Sequence, residues 1–493
     1  MNLSRATCIR ALDARDPRFD GVFYVGVSST GIYCRPVCPA PPPRRDRCQF
    51  FSNAAAAERR GFRPCLRCRP ELAPGNATID ATKRVARAAS ARIAEGALNG
   101  RSVDELAAEF DITARQLRRV IEHETGVTPI ELAQTQRLLL AKQLLTDTSL
   151  SMTKVAFASG FQSVRRFDAL FQQRYRLTPT ALRKKMLPVD QQLIETVTLT
   201  LGYRPPLDWD SLLAFFSNRA TPGVEYVDGE VYGRTVSIGN VHGWVRVQPA
   251  SPLKKRAKPE TQRLQDRRAL RVEIPASLTT VLMPLLARLR QLFDLDADPA
   301  IIEDQLAASG LEKQVRANPG LRVPGAIDGF DLALRAVLGQ QVSVKGATTI
   351  AGRFAEKFGD RIATPDPRLR FGTPNATRIA ESSVEDLRAL GVTTARANSI
   401  LALATAVSSG ALRIEPNADI SRTLAQLTAL PGIGDWTAQY VAMRALRWPD
   451  GFPASDLWLR RAAGDLTTSK LEKESEKWRP WRAYAAMHLW RST

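Results

Sequence analysis

The chain has 493 residues, 44% of them hydrophobic, which is too long for one core and predicts roughly three or four domains. Its 70 Lys+Arg against 50 Asp+Glu give a net charge of +20 biased to arginine, and guanidinium forks suit phosphate oxygens, so a polyanionic partner is the leading expectation over a merely solvated basic surface. No apolar run of about eighteen residues occurs and Met1–Phe19 has no secretion-signal core, so a cytoplasmic, nucleoid-associated protein without a membrane partner is expected.

Four segments separate on pattern. Residues 1–75 are rich in proline and cysteine, with a strand-like stretch at Phe23-Tyr24-Val25-Gly26-Val27. Residues 78–186 carry helical periodicity, broken at Asp111–Thr113 and Gly126–Pro129. Residues 192–275 alternate as strands do at Val231–Val236 and Val241–Val247, with the basic stretch Ser251–Arg271 read as a loop or exposed insertion. Residues 276–493 are helical, with short Gly/Pro/Asp breaks. The expected fold class is a multidomain α+β chain: a small cysteine-bearing domain, an all-α domain of paired helices, a small α+β domain and an all-α C-terminal domain.

All six cysteines lie at or before Cys68, a clustering that points to metal or thiol chemistry in a cytoplasmic chain. Cys34-x3-Cys38 and Cys65-x2-Cys68, separated by 26 residues, form two knuckles that can converge on one tetrahedral ion, and four sulfurs favour Zn2+. Most four-cysteine sites only hold the fold. The flanking words are more specific. Phe19-Asp20-Gly21-Val22-Phe23, Thr30-Gly31-Ile32-Tyr33-Cys34-Arg35-Pro36 and Gly61-Phe62-Arg63-Pro64-Cys65-Leu66-Arg67-Cys68 resemble the N-terminal domain of the Ada adaptive-response proteins. The resemblance implies that Cys34 is a sacrificial acceptor of methyl groups from DNA phosphotriesters, with Cys38, Cys65 and Cys68 as ligands beside it. Zinc would keep the sulfurs as thiolates, the form an electrophilic methyl needs, and methylation would remove one negative charge facing DNA. Pro39-Ala40-Pro41-Pro42-Pro43 stands where the family often has basic residues, with Arg44, Arg45 and Arg47 nearby as substitutes. Cys8 and Cys48 are expected to be spectators.

Leu106-Ala107-Ala108, Asp111-Ile112-Thr113 and Arg115-Gln116-Leu117-Arg118-Arg119 read as helix, turn and recognition helix. A second copy follows in Val155-Ala156-Phe157-Ala158-Ser159-Gly160-Phe161 and Ser163-Val164-Arg165-Arg166-Phe167. Its close, Phe167-x3-Phe171-x6-Thr178-Pro179-x2-Leu182-Arg183, resembles the AraC-type DNA-binding domain. Phe167 and Phe171 are expected in the core, and Arg115, Gln116, Arg119, Gln162, Ser163, Arg165 and Arg166 on promoter DNA.

Leu430-Pro431-Gly432-Ile433-Gly434, followed by Trp436-Thr437-Ala438, resembles a helix-hairpin-helix whose glycines let backbone N–H groups approach a phosphate. With Arg335-Ala336-Val337-Leu338-Gly339-Gln340-Gln341-Val342-Ser343, Phe452-Pro453-Ala454-Ser455-Asp456 and Trp478-Arg479-Pro480-Trp481-Arg482-x-Tyr484, it resembles the AlkA-type 3-methyladenine DNA glycosylases, starting near Pro205-Pro206-Leu207-Asp208-Trp209. That resemblance implies Asp456 as the catalytic carboxylate, Phe215, Trp436, Tyr440 and Trp490 as the base pocket, and Gln341, Gly432, Gly434 and Thr437 as DNA contacts. Asp456 could equally cap the helix that starts at Leu457. Trp478 and Trp481 read as core. Trp436 occupies the position of the lysine of bifunctional relatives, so a glycosylase without lyase activity is expected. Gln341 replaces a leucine wedge, and Leu457 follows Asp456 where an aromatic can occur, which predicts a more open pocket.

Together these readings make the chain a fused Ada–AlkA-type protein: a monomer that binds damaged and promoter DNA, engages RNA polymerase, excises alkylated bases and accepts methyl groups at Cys34. It has no second Pro-Cys-His-Arg-type acceptor, so no O6-alkylguanine repair is expected. The rival reading is an activator with purely structural zinc whose C-terminal half binds damaged DNA without excision.

Overall fold

The computed structural model describes residues 3–74, 84–186, 196–250, 268–416 and 418–492. Two compact units divide it: residues 1–205 with 249–287 and 295–298, and residues 206–248 with 288–294 and 299–493. The expected boundaries at 75/78 and 186/192 fall wholly or partly on residues outside those described. No described helix is long and apolar enough to cross a membrane.

The first unit opens with helix α1 (Arg5–Asp13), followed by strands β1 (Tyr24–Val27), β2 (Ile32–Cys34) and β3 (Cys48–Phe51), helix α2 (Ala54–Arg59) and the short strand β4 (Arg63–Pro64), in a sheet of order β3-β1-β2-β4. β2 and β4 run parallel, with Tyr33 opposite Pro64, and the Cys65 amide donates to the Tyr33 carbonyl at 3.0 Å. This pairing sets Cys34, at the end of one strand, beside Cys65, just past the end of the other.

Helices α3 (Arg84–Ala94), α4 (Val103–Ala108), α5 (Ala114–Thr125), α6 (Pro129–Asp147), α7 (Met152–Ala158), α8 (Val164–Tyr175) and α9 (Pro179–Met186) follow. Local chemistry explains their ends. Ser102, Thr113 and Thr128 each form a capping box, while Asp111 (φ 54°) and Gly126 (φ 76°) take the left-handed turns between helices. Around α8, Phe161, Phe167, Phe171 and Tyr175 pack ring against ring with centroids 4.6 to 5.5 Å apart. Phe167 and Phe171 are fully buried, and truncating either to alanine should cost about 3–5 kcal/mol.

Thr196–Gly202 and Ala269–Pro275 pair antiparallel along their whole length. The second strand corrects the reading of Ser251–Arg271 as loop. Residues 251–267 lie outside those described, but Ala269, Leu270 and Arg271 begin a strand whose Leu270, Val272 and Ile274 are buried and whose Arg271 faces outward. The preceding charge density hid the alternation.

In the second unit, Glu225–Asp228, Val231–Ile238 and Val241–Pro249 form an antiparallel meander beside the helix Trp209–Ser217. The rest is helical, centred on an apolar cluster that includes Phe330, Leu334, Val337, Phe354, Leu403, Leu427 and Val441. Trp478 and Trp481 are buried, and their indole N–H groups donate to the Ser309 carbonyl (3.3 Å) and to Gln305 (3.1 Å), which makes both framework residues.

Candidate functional site

The Sγ atoms of Cys34, Cys38, Cys65 and Cys68 all lie within 4.8 Å of one another. Tetrahedral zinc with Zn–S bonds of about 2.3 Å needs sulfurs roughly 3.8 Å apart, so the donor set fits one Zn2+. Cys38, Cys65 and Cys68 are buried and Cys34 is half-buried, the most accessible of the four. Amides shape the knuckles: Arg35 N–H points at Cys68 Sγ (3.3 Å) and Arg67 N–H at Cys65 Sγ (3.4 Å). Cys8 and Cys48 sit in a separate apolar cluster with Phe23 and Val25.

Two buried ion pairs hold this centre, and neither was evident in the sequence. The Arg35 guanidinium grips Asp20 in bidentate fashion (2.7 Å for the Nε arm) and donates to the Cys68 carbonyl at 3.1 Å. On the other side, Lys142 of α6 pairs with Glu71 and donates to the Cys65 carbonyl at 3.2 Å, while Arg69 bridges Glu71 (3.0 Å) and Asp147 (2.6 Å). Glu58 of α2 accepts from Tyr33 and from Thr135 of α6, both at 3.0 Å, and burial pushes its carboxyl up to about 7. The cysteine knuckles and the long helix between the two helix-turn-helix pairs thus share one polar core. Arg44, Arg45 and Arg47 are exposed and hold only surface pairs with Asp46 and Asp13, which exchange readily for phosphate.

In the helix-turn-helix segment Arg115, Arg119, Gln162, Arg165 and Arg166 are exposed. Gln116 and Ser163 have a second duty. The Gln116 carbonyl oxygen accepts from Thr113 in the capping box (2.9 Å), leaving its amide NH2 for other contacts, and Ser163 is the N-cap of α8.

The hairpin lies between helices Ile420–Thr428 and Asp435–Arg444. Gly432 has φ 73°, a left-handed conformation that favours glycine, and a Cβ there would meet Ser399 Oγ at 2.2 Å. Gly434 caps the second helix, with open space where a side chain would stand. Thr437 is buried, and its hydroxyl oxygen accepts from Gln340 Nε2 at 3.1 Å. The same Nε2 donates to the Gly432 carbonyl at 3.0 Å, and Arg396 donates to the Gln340 carbonyl. Gln340 thereby clamps the loop carrying exposed Gln341 (φ 54°) to the hairpin.

Asp456 is the N-cap of helix Leu457–Ala462, and Oδ1 accepts from Leu459 N–H at 2.9 Å. It also receives two indole N–H groups: Trp490 on Oδ1 at 3.0 Å and Trp436 on Oδ2 at 2.9 Å. Three of about four lone-pair directions are taken, which leaves one, on Oδ2. Trp436 stacks on Tyr440 at 5.1 Å with planes 9° apart. The guanidiniums of Arg219 and Arg444 lie over the Phe215 ring at 4.0 and 4.7 Å, so the protein's own cations already use its π-surface. Arg444 also donates to Tyr440 OH at 2.5 Å, and although burial alone would raise the phenol, Arg444, Arg219 and Arg335 bring it below its ordinary value. Arg444 lies over the Tyr440 ring as well, 5.1 Å from its centroid, so one cation serves both Phe215 and Tyr440. Arg335 is structural: it pairs with buried Glu225 at 2.7 Å and donates to the Arg219 carbonyl.

Four family models match along the chain: the metal binding domain of Ada at residues 7–71, a helix-turn-helix domain at 106–185, the AlkA N-terminal domain at 198–328 and the HhH-GPD superfamily of base excision DNA repair proteins at 334–480. A Mycobacterium tuberculosis protein named as a probable bifunctional transcriptional activator/DNA repair enzyme AlkA is 38% identical over 98% of this chain and 95% of its own length. DNA-3-methyladenine glycosylase 2 of Escherichia coli is 33% identical over 59% of this chain and 96% of its own. Among solved structures, the 3-methyladenine DNA-glycosylase from Archaeoglobus fulgidus shares the fold at a TM-score of 0.50 and 21% identity, over 59% of this chain and 96% of that one.

Proposed function

The chain belongs to the family of bifunctional transcriptional activators and DNA repair enzymes that join an Ada-type metal-binding domain to an AlkA-type glycosylase, and we propose that it hydrolyses the N-glycosidic bond of alkylated bases such as 3-methyladenine with Asp456 as the catalytic carboxylate. The observation that carries this reading is the double indole grip on Asp456. It leaves a carboxylate oriented by the pocket's own walls, with one lone pair on Oδ2 for the departing base's sugar. N3-alkylation makes the base cationic, so it leaves with the glycosidic electron pair as a neutral molecule and needs no strong general acid. Asp456 stabilises the positive charge left on the sugar and orients the water that adds to it. Trp436 and Tyr440 face the base, and Gln341 fills the gap left in the duplex. With tryptophan at position 436 there is no amine for a Schiff base, so strand cleavage does not follow.

At the other end, Cys34 is the methyl acceptor: its S–CH3 bond forms as the O–CH3 bond of a phosphotriester breaks and the phosphodiester leaves as an anion. Bound zinc supplies thiolates at neutral pH. Cys34 is the most accessible of the four ligands, and Arg44, Arg45 and Arg47 of the same segment are exposed cations. The helix-turn-helix pairs place Arg115, Arg119, Gln162, Arg165 and Arg166 on promoter DNA, with the protein acting as a monomer and RNA polymerase as its partner there.

The deciding experiment incubates purified protein with methylated duplex and measures free 3-methyladenine. Release by wild type, lost in a folded Asp456→Ala variant, is expected. No release by wild type defeats the enzyme and leaves an activator that binds damage. Mass spectrometry of the same sample should show one added methyl on the Cys34 peptide, and an unmodified Cys34 reduces the zinc centre to a structural staple.

A further inference from the structure

Among the described residues of the second unit, the large hydrophobic side chains that stand exposed are Val342, Val344, Leu457 and Trp458. Their placement is not scattered. Two closely follow Gln341, and two immediately follow Asp456. Trp458, at 54% exposure, is the largest of them, and an indole left in water at that level forgoes burial worth having unless something covers it in use.

We infer that Trp458 is a DNA-stacking residue of the glycosylase, placing its indole against the damaged strand beside the excised nucleotide and supplying the apolar contact that polar Gln341 does not. The inference rests on the reading of Asp456 as the catalytic carboxylate. Trp458 is the second residue of the helix that Asp456 caps, so their Cα atoms lie about 5–6 Å apart by helix geometry. Stacked bases repeat about every 3.4 Å along a strand. Any pose that brings Asp456 to the sugar of an extruded nucleotide therefore brings the Trp458 backbone within about two base steps of it. The indole lies beneath the Arg461 guanidinium, 5.2 Å from the ring centroid, which pre-orients the ring and sets a positive charge beside it. Arg461 is itself exposed, and an aromatic face paired with an arginine is the combination that stacks a base while answering its phosphate. A protein partner would equally cover an apolar patch, but the +20 charge of the chain and the position beside Asp456 favour nucleic acid.

The test measures binding of the full-length protein to a duplex holding a tetrahydrofuran abasic-site analogue, relative to the same duplex undamaged, which subtracts the helix-turn-helix contribution. Trp458→Ala should weaken the lesion-specific affinity roughly tenfold to a hundredfold, and Trp458→Phe should restore most of it. Because the side chain is exposed, thermal unfolding should stay at the wild-type value in both variants. Quenching of tryptophan fluorescence by the abasic duplex should fall in Trp458→Phe. An alanine variant that binds the abasic duplex within about twofold of wild type, with unchanged quenching in the phenylalanine variant, overturns the inference. A wild-type protein that releases no base defeats the excision reading instead, and the binding comparison still reports on Trp458.

Discussion

The cysteine centre and the Asp456 centre are built on opposite plans. The four cysteines are brought together locally, by two knuckles, a parallel strand pair and the Arg35–Asp20 clamp within residues 20–68, and Lys142 of α6 braces them through Glu71 and the Cys65 carbonyl. Asp456 is held by indoles from positions 436 and 490, and its pocket reaches back to Phe215. The first site is a local fold in which Cys34 is the most accessible of the four sulfurs. The second is a convergence of distant helices whose walls are also its hydrogen-bond donors. Under the proposed roles, a local site can be consumed once without loss of the scaffold, whereas turnover needs a carboxylate returned to the same orientation after each product leaves.

The sharpest way to break this contrast is at Asp456. Asparagine still caps the helix through Oδ1, but its NH2 replaces Oδ2 and meets the Trp436 N–H, donor against donor. Asp456→Asn should lose excision by about a thousandfold, and Trp436→Phe in the same chain removes the clash without restoring the charge. Single-turnover release of 3-methyladenine checks both. Recovery in the double variant would assign the loss to misorientation and make the carboxylate charge dispensable.

At the cysteine centre the largest expected effect is on stability. Lys142→Met strands Glu71 in the core with Arg69 as its remaining partner, which should cost roughly 3 kcal/mol or more in urea unfolding. Adding Glu71→Gln should recover much of it. Tight coupling between the knuckles and α6 also predicts that the single variant weakens promoter binding although Lys142 is buried.

A smaller, pH-dependent effect comes from Glu58. Its folded carboxyl titrates near 7 because of burial, against an ordinary 4.5. The protonated form therefore contributes stability that is fully present below about pH 4.5 and lost as pH rises through about 7, on the order of 3 kcal/mol. Relative to Glu58→Gln, wild type should lose stability between those limits. Parallel curves for the two proteins would remove Glu58 from the account.

What was legible in the sequence follows the same contrast. The cysteine spacing and the hairpin glycines are local, so their geometry could be read from residue type and interval. Pairs such as Lys142–Glu71, Arg35–Asp20 and Arg444–Tyr440 were not legible, because an arginine or lysine in a chain of this charge reads first as a phosphate contact. Asp456 was legible as cap or catalyst, and the structure shows that one carboxylate does the capping while two indoles hold it. Trp436 and Trp490 were read as pocket aromatics for their faces, and their N–H edges carried the missing information.

The smallest expected effect tests the wedge. Gln340 differs from Gln341 by one position, yet its Nε2 is shared between Gly432 and Thr437, and its carbonyl is held by Arg396. Gln340→Ala removes two hydrogen bonds between neutral groups at a partly exposed site, worth about 1 kcal/mol each at most, so the fold should survive. What it frees is the loop that carries Gln341 relative to the hairpin proposed to hold the phosphate. Excision should fall roughly fivefold to tenfold at subsaturating DNA, with a smaller change once duplex is saturating, because the penalty falls on forming the flipped complex rather than on bond cleavage. Gln340→Glu keeps the size but turns a donor into an acceptor facing the Gly432 carbonyl, so it should be worse than alanine. If glutamate and alanine behave alike, the clamp is only packing, and Gln341 is positioned by its own backbone.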